Sequence, residues 1–270
     1  MEENFIYLSE DKIAKLINLT MPVYEERSLW LNKKKPAIII IPGGSYKYCS
    51  DREGVPVAFK LLSKGYQCFV LQYHCDDQSE YPKPFLDLAR AVKHIKSNKE
   101  VYGINDKDIS LIGFSAGGHL AGTYGSLIKN KDFQKEMGMS EKELEIKNLI
   151  LGYPAIHLDP VVKEVIRLKQ EDKVGEIFKN YKKIKDGYQM AHKDMPRTFV
   201  FHSLDDDVVD IKMTIDYVNR LIELGVDVEF YMLSVGGHGF ATGDDLANYG
   251  RDINSRISVW IDLVDKWIKD

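Results

Sequence analysis

From Pro36 onwards two hydrophobic periodicities alternate along the chain. Ala37-Ile38-Ile39-Ile40-Ile41 is a continuous, mostly β-branched run without a polar face, the pattern of a strand buried on both sides in a parallel sheet. It breaks at Pro42-Gly43-Gly44-Ser45-Tyr46, a glycine-rich loop whose backbone N–H groups can point at a ligand. Val57, Ala58, Leu61 and Leu62 recur at helical spacing before Gly65, and Gln67 to Tyr73 reads as the next strand. After the loop Tyr81-Pro82-Lys83-Pro84, the positions Phe85, Leu88, Ala89, Val92 and Ile95 mark a second amphipathic helix. It leads into the run Ile109 to Ile112, which stops abruptly at Gly113-Phe114-Ser115-Ala116-Gly117; Leu120, Ala121, Tyr124, Leu127 and Ile128 then follow at helical spacing. Further strands are expected at Asn148 to Tyr153, Arg197 to His202 and Val226 to Leu233. A helix from Ile211 to Leu224 closes at Gly225, and a final one carries Ile253, Ile257, Trp260, Ile261, Val264 and Trp267.

This alternation predicts an α/β protein with a mostly parallel, doubly wound sheet and helices on both faces, in which ligands gather at the C-terminal ends of the strands. The rhythm lapses twice. Residues 4–31 hold short apolar stretches at Phe5-Ile6-Tyr7 and Ile13 to Leu19, either a first strand pair or an N-terminal appendage. The charged stretch from about Ala155 to Pro196 has expected helices at Pro160 to Lys169 and around Val174 to Tyr181. It reads as a small helical cap inserted over the strand ends, the alternative being a peripheral, solvated helix pair. With no internal repeat and no low-complexity linker, residues 1–270 are expected to form one domain.

Composition adds exclusions. A chain of 270 residues buries roughly three quarters of its unfolded surface as one domain. Its 44% hydrophobic and 29% charged content is ordinary for a soluble protein, and a net charge of −4 speaks against a nucleic-acid partner. The clusters Lys33-Lys34-Lys35 and Lys182-Lys183 read as solvated turns or helix faces. No apolar run approaches the ~20 residues that span a bilayer. The start Met1-Glu2-Glu3-Asn4 lacks a secretory pattern, and the three cysteines, Cys49, Cys68 and Cys75, form no CxxC pair. A cytoplasmic protein is the expectation, with its oligomeric state left open.

The chemistry centres on Ser115. A Gly-x-Ser-x-Gly between a strand and a helix is the context of a nucleophile elbow: the turn is so tight that a Cβ at either glycine would clash, and the serine is lifted beside a helix N-terminus. A serine nucleophile needs a base, an acid to orient it and donors for an oxyanion. On such a sheet the acid and then the histidine follow the serine in the chain. His238, in Val235-Gly236-Gly237-His238-Gly239-Phe240, is the one histidine after the acidic loop Asp205-Asp206-Asp207, and both loops follow strands. The other six, His74, His94, His119, His157, His192 and His202, read as structural or solvated. Spacing alone does not choose among the three aspartates. No HExxH or similar signature is present, so neither a metal nor a cofactor is expected.

Four segments together resemble the α/β-hydrolase superfamily, in particular its acetyl esterase and acetylxylan esterase branch, related to hormone-sensitive lipases and kynurenine formamidases. They are Ile41 to Tyr46; Tyr81-Pro82 with Asp87 to Val92; Gly113 to Ala121; and His202 to Val209 with His238-Gly239. The resemblance implies that Asp206, four residues after His202, is the acid, and that the amides of Gly44, Ser45 and Ala116 form the oxyanion hole. Three positions depart from the pattern: Ser45 stands for a third glycine, Asp210 for a proline and His74 for an arginine. The expected activity is hydrolysis of short-chain acyl esters, acetyl foremost, of small alcohols or sugars through an acyl-enzyme. The alternatives are an amide hydrolase on the same fold, formamidase- or peptidase-like, and a non-catalytic binding protein.

Overall fold

Eight strands form one sheet among the residues that the computed structural model describes, 4–23, 33–176, 186–251 and 254–270. They are β1 (Phe5–Tyr7), β2 (Lys15–Leu19), β3 (Lys35–Ile41), β4 (Gln67–Gln72), β5 (Ile104–Phe114), β6 (Asn148–Gly152), β7 (Arg197–Ser203) and β8 (Val228–Leu233). Their spatial order is β1-β2-β4-β3-β5-β6-β7-β8; β1 pairs antiparallel with β2 and β2 antiparallel with β4, and every other pairing is parallel.

The isoleucine run of β3 shows why the sheet is covered twice. Ile38 and Ile40 pack into one core with Val57 and Leu61 of helix Val55–Leu62 and with Trp260 and Val264 of helix Val259–Lys269. Ala37, Ile39 and Ile41 face the other core, with Leu88 and Val92 of helix Lys83–Ser97, Leu120 and Tyr124 of helix Ala116–Leu127, and Tyr217 of helix Ile211–Glu223. Each fully buried isoleucine contributes about 1.5–3 kcal/mol relative to an exposed one, so an unbroken apolar run is stable only where both faces are capped.

From β3 the chain steps to β4 on one side, then crosses back to β5 on the other. The direction of winding therefore reverses between β3 and β5, and a doubly wound sheet opens its crevice at the C-terminal ends of the strands flanking such a reversal. The Gly43-Gly44 loop follows one of these strands and Ser115 the other.

The uncertain N-terminal stretch is a strand pair. Its short β1 lies at the sheet edge, with Phe5 opposite Ile17. The helix expected from Pro160 runs over Leu158–Arg167. Around Val174 the chain makes a 3-10 turn, Glu171–Lys173, and then a bend, because Gly175 must approach a neighbouring loop closely; the rest of the helix expected to Tyr181 lies outside the described residues, as do Lys182, Lys183 and Ile253. The helix after Ser115 is not amphipathic: all twelve of its residues are buried. A Cβ at Gly122 would come within 2.3 Å of Ile156 Cδ1, and one at Gly187 within 2.4 Å of the same atom, so the connection from β6 to β7 closes over the face that would otherwise meet water. No helix among the described residues is long and apolar enough to cross a membrane.

Candidate active site

The strand β5 ends by driving Ser115 into a left-handed turn, φ +50° and ψ −116°. Such a conformation costs a residue with a side chain on the order of 1–3 kcal/mol and persists only where the surroundings enforce it. The enforcement is visible in the flanking glycines. A Cβ on Gly113 would stand 2.3 Å from the Gly117 carbonyl oxygen, and one on Gly117 would stand 2.1 Å from that of Ile41. The Ser115 amide donates to Gly152 O at 3.0 Å, and the Ser115 carbonyl accepts from His119 and Ala155. Side chains have no room on either side, so the turn carries the hydroxyl outward.

Two loops from distant parts of the chain meet this serine. His238 Nε2 lies 2.9 Å from Ser115 Oγ, and His238 Nδ1 lies 2.7 Å from Asp206 Oδ2. The second oxygen of Asp206, Oδ1, accepts the amides of Val208 and Val209, both at 2.9 Å. Of the three aspartates, Asp206 alone reaches the imidazole; Asp205 accepts the Gly237 amide at 2.8 Å and steadies the histidine loop, while Asp207 is exposed. Asp210 caps helix Ile211–Glu223 by accepting the Lys212 amide.

His202 has a larger part than its pattern indicated. It is fully buried, with Nε2 2.9 Å from Asp206 Oδ2 and Nδ1 2.8 Å from Thr214 Oγ1. Asp206 thus receives two histidines on one oxygen and two amides on the other. Burial opposes its charge, but the hydrogen bonds from His202 and His238 outweigh burial and hold the carboxyl well below the usual carboxylate range. A carboxylate that stays charged orients His238 so that Nδ1–H donates to it and the Nε2 lone pair faces the serine.

The loop after β3 runs beside the serine. Gly44, Ser45 and Tyr46 have successive φ values of +119°, +55° and +56°, and the Gly44 carbonyl is taken up by the amides of Lys47 and Tyr48. Among the described residues no acceptor takes the N–H of Gly44, Ser45 or Ala116. Behind the loop, Tyr46 Oη lies 2.7 Å from His119 Nδ1, and burial lowers the His119 pKa to about 3. Tyr73 O–H donates to Pro42 O at 2.8 Å.

A cavity of about 790 Å³ opens onto Ser45, Ser115 and Ala116. Pro160, Val165, Leu168 and Val174 line it from the β6–β7 connection, and Met213 from the helix after the acidic loop. That connection is fastened to the β3 loop, since Gly175 N–H donates to Ser45 O at 3.0 Å. Among the described residues, no three His, Cys, Asp or Glu side chains are grouped to hold a metal ion.

Periodicity could not reveal Arg52, which donates to Gly239 O 187 positions away, or Tyr153, which donates to Glu53 Oε1 100 positions away. His202 did carry a signal, its place four residues before Asp206.

A serine on a strand-to-helix elbow, facing a histidine and an aspartate from the ends of later strands of a mostly parallel sheet, defines an α/β hydrolase. The crystal structure of MGS-M1, an α/β hydrolase enzyme from a Medee basin deep-sea metagenome library, is similar: 30% identical, with a TM-score of 0.78, over 98% of this chain and 95% of that one. Within that class the chain belongs to the BD-FAE family, whose model matches residues 27–221. It is 29% identical over 223 residues to endo-1,4-beta-xylanase B of Butyrivibrio fibrisolvens, covering 78% of this chain and 33% of that protein. It is 26% identical over 218 residues to an acetylxylan esterase of Xylanibacter ruminicola, covering 78% of this chain and 42% of that protein. The chain therefore spans about a third to a half of the length of these curated relatives.

Proposed function

We propose that this protein is a serine carboxylesterase that removes short acyl groups, acetyl foremost, from esters of small alcohols or sugars. The observation that carries this reading is the continuous chain from Asp206 Oδ2 to His238 at 2.7 Å and from His238 to Ser115 Oγ at 2.9 Å. Ser115 Oγ attacks the ester carbonyl as His238 Nε2 takes its proton, and Asp206 stabilises the resulting imidazolium. The carbonyl oxygen gains the negative charge and is received by the amides of Gly44, Ser45 and Ala116, each such donor being worth on the order of 10²–10³ in rate. The C–O bond to the alcohol then breaks, the alkoxide leaves with the His238 proton, and an acyl-serine remains. Water, deprotonated by the same imidazole, repeats the sequence and frees the acid.

The names of two relatives, an acetylxylan esterase and a xylanase, support a sugar ester. The cavity lined by the β6–β7 connection supports the role of residues 155–196 as a cap over the substrate.

The test compares wild type with Ser115→Ala on p-nitrophenyl acetate, with acetylated xylo-oligosaccharides, N-formylkynurenine and a proline-type peptide in parallel. Ester turnover that vanishes in the variant, together with labelling of wild type by a fluorophosphonate, is expected. A folded wild type that neither labels nor turns over any ester would point instead to a binding protein. Faster amide than ester cleavage would move the reading to an amidase.

A further inference from the structure

The short turn Asp51–Glu53 contributes no reacting atom, yet it grips both loops that converge on Ser115. Glu53 is 4% exposed and uses its carboxylate oxygens separately. Oε2 accepts the Gly43 amide at 2.9 Å, and Oε1 accepts the Tyr153 hydroxyl at 2.8 Å. That hydroxyl in turn accepts the Ala241 amide at 3.1 Å, while the Tyr153 ring stands edge-on to the His238 imidazole with centroids 5.1 Å apart. The preceding residue, Arg52, donates to Gly239 O at 2.6 Å, to Ala247 O at 3.0 Å and to the Asn248 side chain.

The two ends of this arrangement are the two halves of the site. On one side Gly43 is wedged so closely that a Cβ there would meet Glu53 Oε2, the Phe114 carbonyl oxygen and Ser115 Cβ, each at 2.9 Å. Its amide immediately precedes those of Gly44 and Ser45 in the loop beside Ser115. On the other side the residues after His238 are held twice, Gly239 by Arg52 and Ala241 by Glu53 through Tyr153. Tyr153 is itself kept at φ +36°, a conformation rare for residues with side chains and one that needs enforcement by its surroundings. A buried carboxylate that satisfies one donor from each loop ties them to a common reference, which an apolar contact would not do.

We infer that Glu53 is a positioning residue which, with Arg52 and Tyr153, fixes the separation between the amides of Gly44 and Ser45 and the imidazole of His238. This rests on the ester-hydrolase reading above, in which those amides and that imidazole must bear on one carbonyl at once. A misplacement of about 1 Å between such groups costs on the order of 10² in rate.

The experiment measures kcat and KM on p-nitrophenyl acetate for Tyr153→Phe, Glu53→Gln and the double variant, with melting temperature recorded for each and Ser115→Ala as reference. Tyr153→Phe removes a single oxygen and keeps the ring. Each single variant is expected to lose about tenfold in kcat with KM within about twofold of wild type, and the double to be no worse than the weaker single, because both act through one hydrogen-bond chain. A lower melting temperature with wild-type kcat would mean that the turn serves stability alone and would overturn the inference, as would losses that multiply in the double variant or fall on KM. Should Glu53→Gln not fold, the kcat and KM of Tyr153→Phe decide. If Ser115→Ala is inactive and Tyr153→Phe matches wild type, this inference alone fails; turnover retained by Ser115→Ala overturns both.

Discussion

Toward opposite edges of the sheet the protein holds two clusters built from the same three residue types, serine, histidine and aspartate, in opposite proportions. Beside β7 and β8, Asp206 is shared by His202 and His238, and the outer nitrogen of His238 faces Ser115. Beside β4, His74 is shared by two aspartates: Nδ1 lies 2.7 Å from Asp87 Oδ2 and Nε2 lies 2.9 Å from Asp11 Oδ2. A serine is present there too, but Ser9 donates its hydroxyl to Asp11 and not to the imidazole. The inventory is alike and the chemistry is not. In the first cluster one imidazole nitrogen faces a serine hydroxyl, as the proposed base must; in the second both nitrogens face carboxylates. The second cluster instead ties the β1–β2 turn, through Asp11, to helix Lys83–Ser97, through Asp87.

The sharpest way to break this contrast is to remove the groups proposed to react. Ser115→Ala and His238→Ala should each lower kcat on p-nitrophenyl acetate by about 10⁴-fold or more, whereas His74→Ala should not approach such a loss. Next comes the acid. Asp206→Asn should lose about 10³–10⁴-fold, and Asp205→Asn, whose amide oxygen can still accept the Gly237 N–H, less than about tenfold; steady-state kinetics on the pair would undo the assignment if the order reversed. A smaller effect is expected at His202→Gln, which keeps an N–H donor toward Asp206: about tenfold in kcat, with a substantially larger loss for His202→Leu.

The smallest effect on turnover belongs to the second cluster. His74→Asn should leave kcat within about twofold while lowering unfolding free energy by about 2–3 kcal/mol at pH 6, measured by urea denaturation. The two clusters also carry opposite signs with pH. The hydrogen bond to Asp87 outweighs burial and, with Asp11, raises the His74 pKa above the ordinary imidazole value. Its contribution is therefore complete below the unfolded pKa of about 6.5 and fades as pH rises through the raised folded value. The Asp206 pKa is depressed, so its contribution is complete above the unfolded value of about 3.9 and fades as pH falls through it toward the folded one. Melting curves should show the gap between wild type and His74→Asn closing toward alkaline pH, and that between wild type and Asp206→Asn closing toward acid.

This comparison also marks how far the amino-acid sequence can be read. The central strands, β3 above all, announce themselves because a strand covered on both faces must be apolar, as Ile38 to Ile41 are. The elbow is equally plain, since Gly113 and Gly117 are required by local contacts. The three aspartates could not be told apart by spacing, because what separates Asp206 from Asp205 is a loop that turns one side chain inward and the other toward Gly237. His74 and His202 both looked like bystanders; a histidine's part depends on what lies across from each nitrogen. Arg52 and the Gly239 carbonyl it holds are 187 positions apart, a distance over which no local pattern has reach.

The bond from Gly175 to Ser45 joins the lining of the cavity to the loop beside Ser115. Position 175 admits only glycine, since a Cβ would stand 2.4 Å from Tyr46 O and 2.5 Å from Ser79 Oγ. The contact ties the β6–β7 connection to the loop that follows β3, beside Ser115. Under the proposed reading of this connection as a cap, a replacement segment that keeps that glycine is expected to keep the contact with Ser45. One that carries a side chain there must move away from Tyr46 and Ser79.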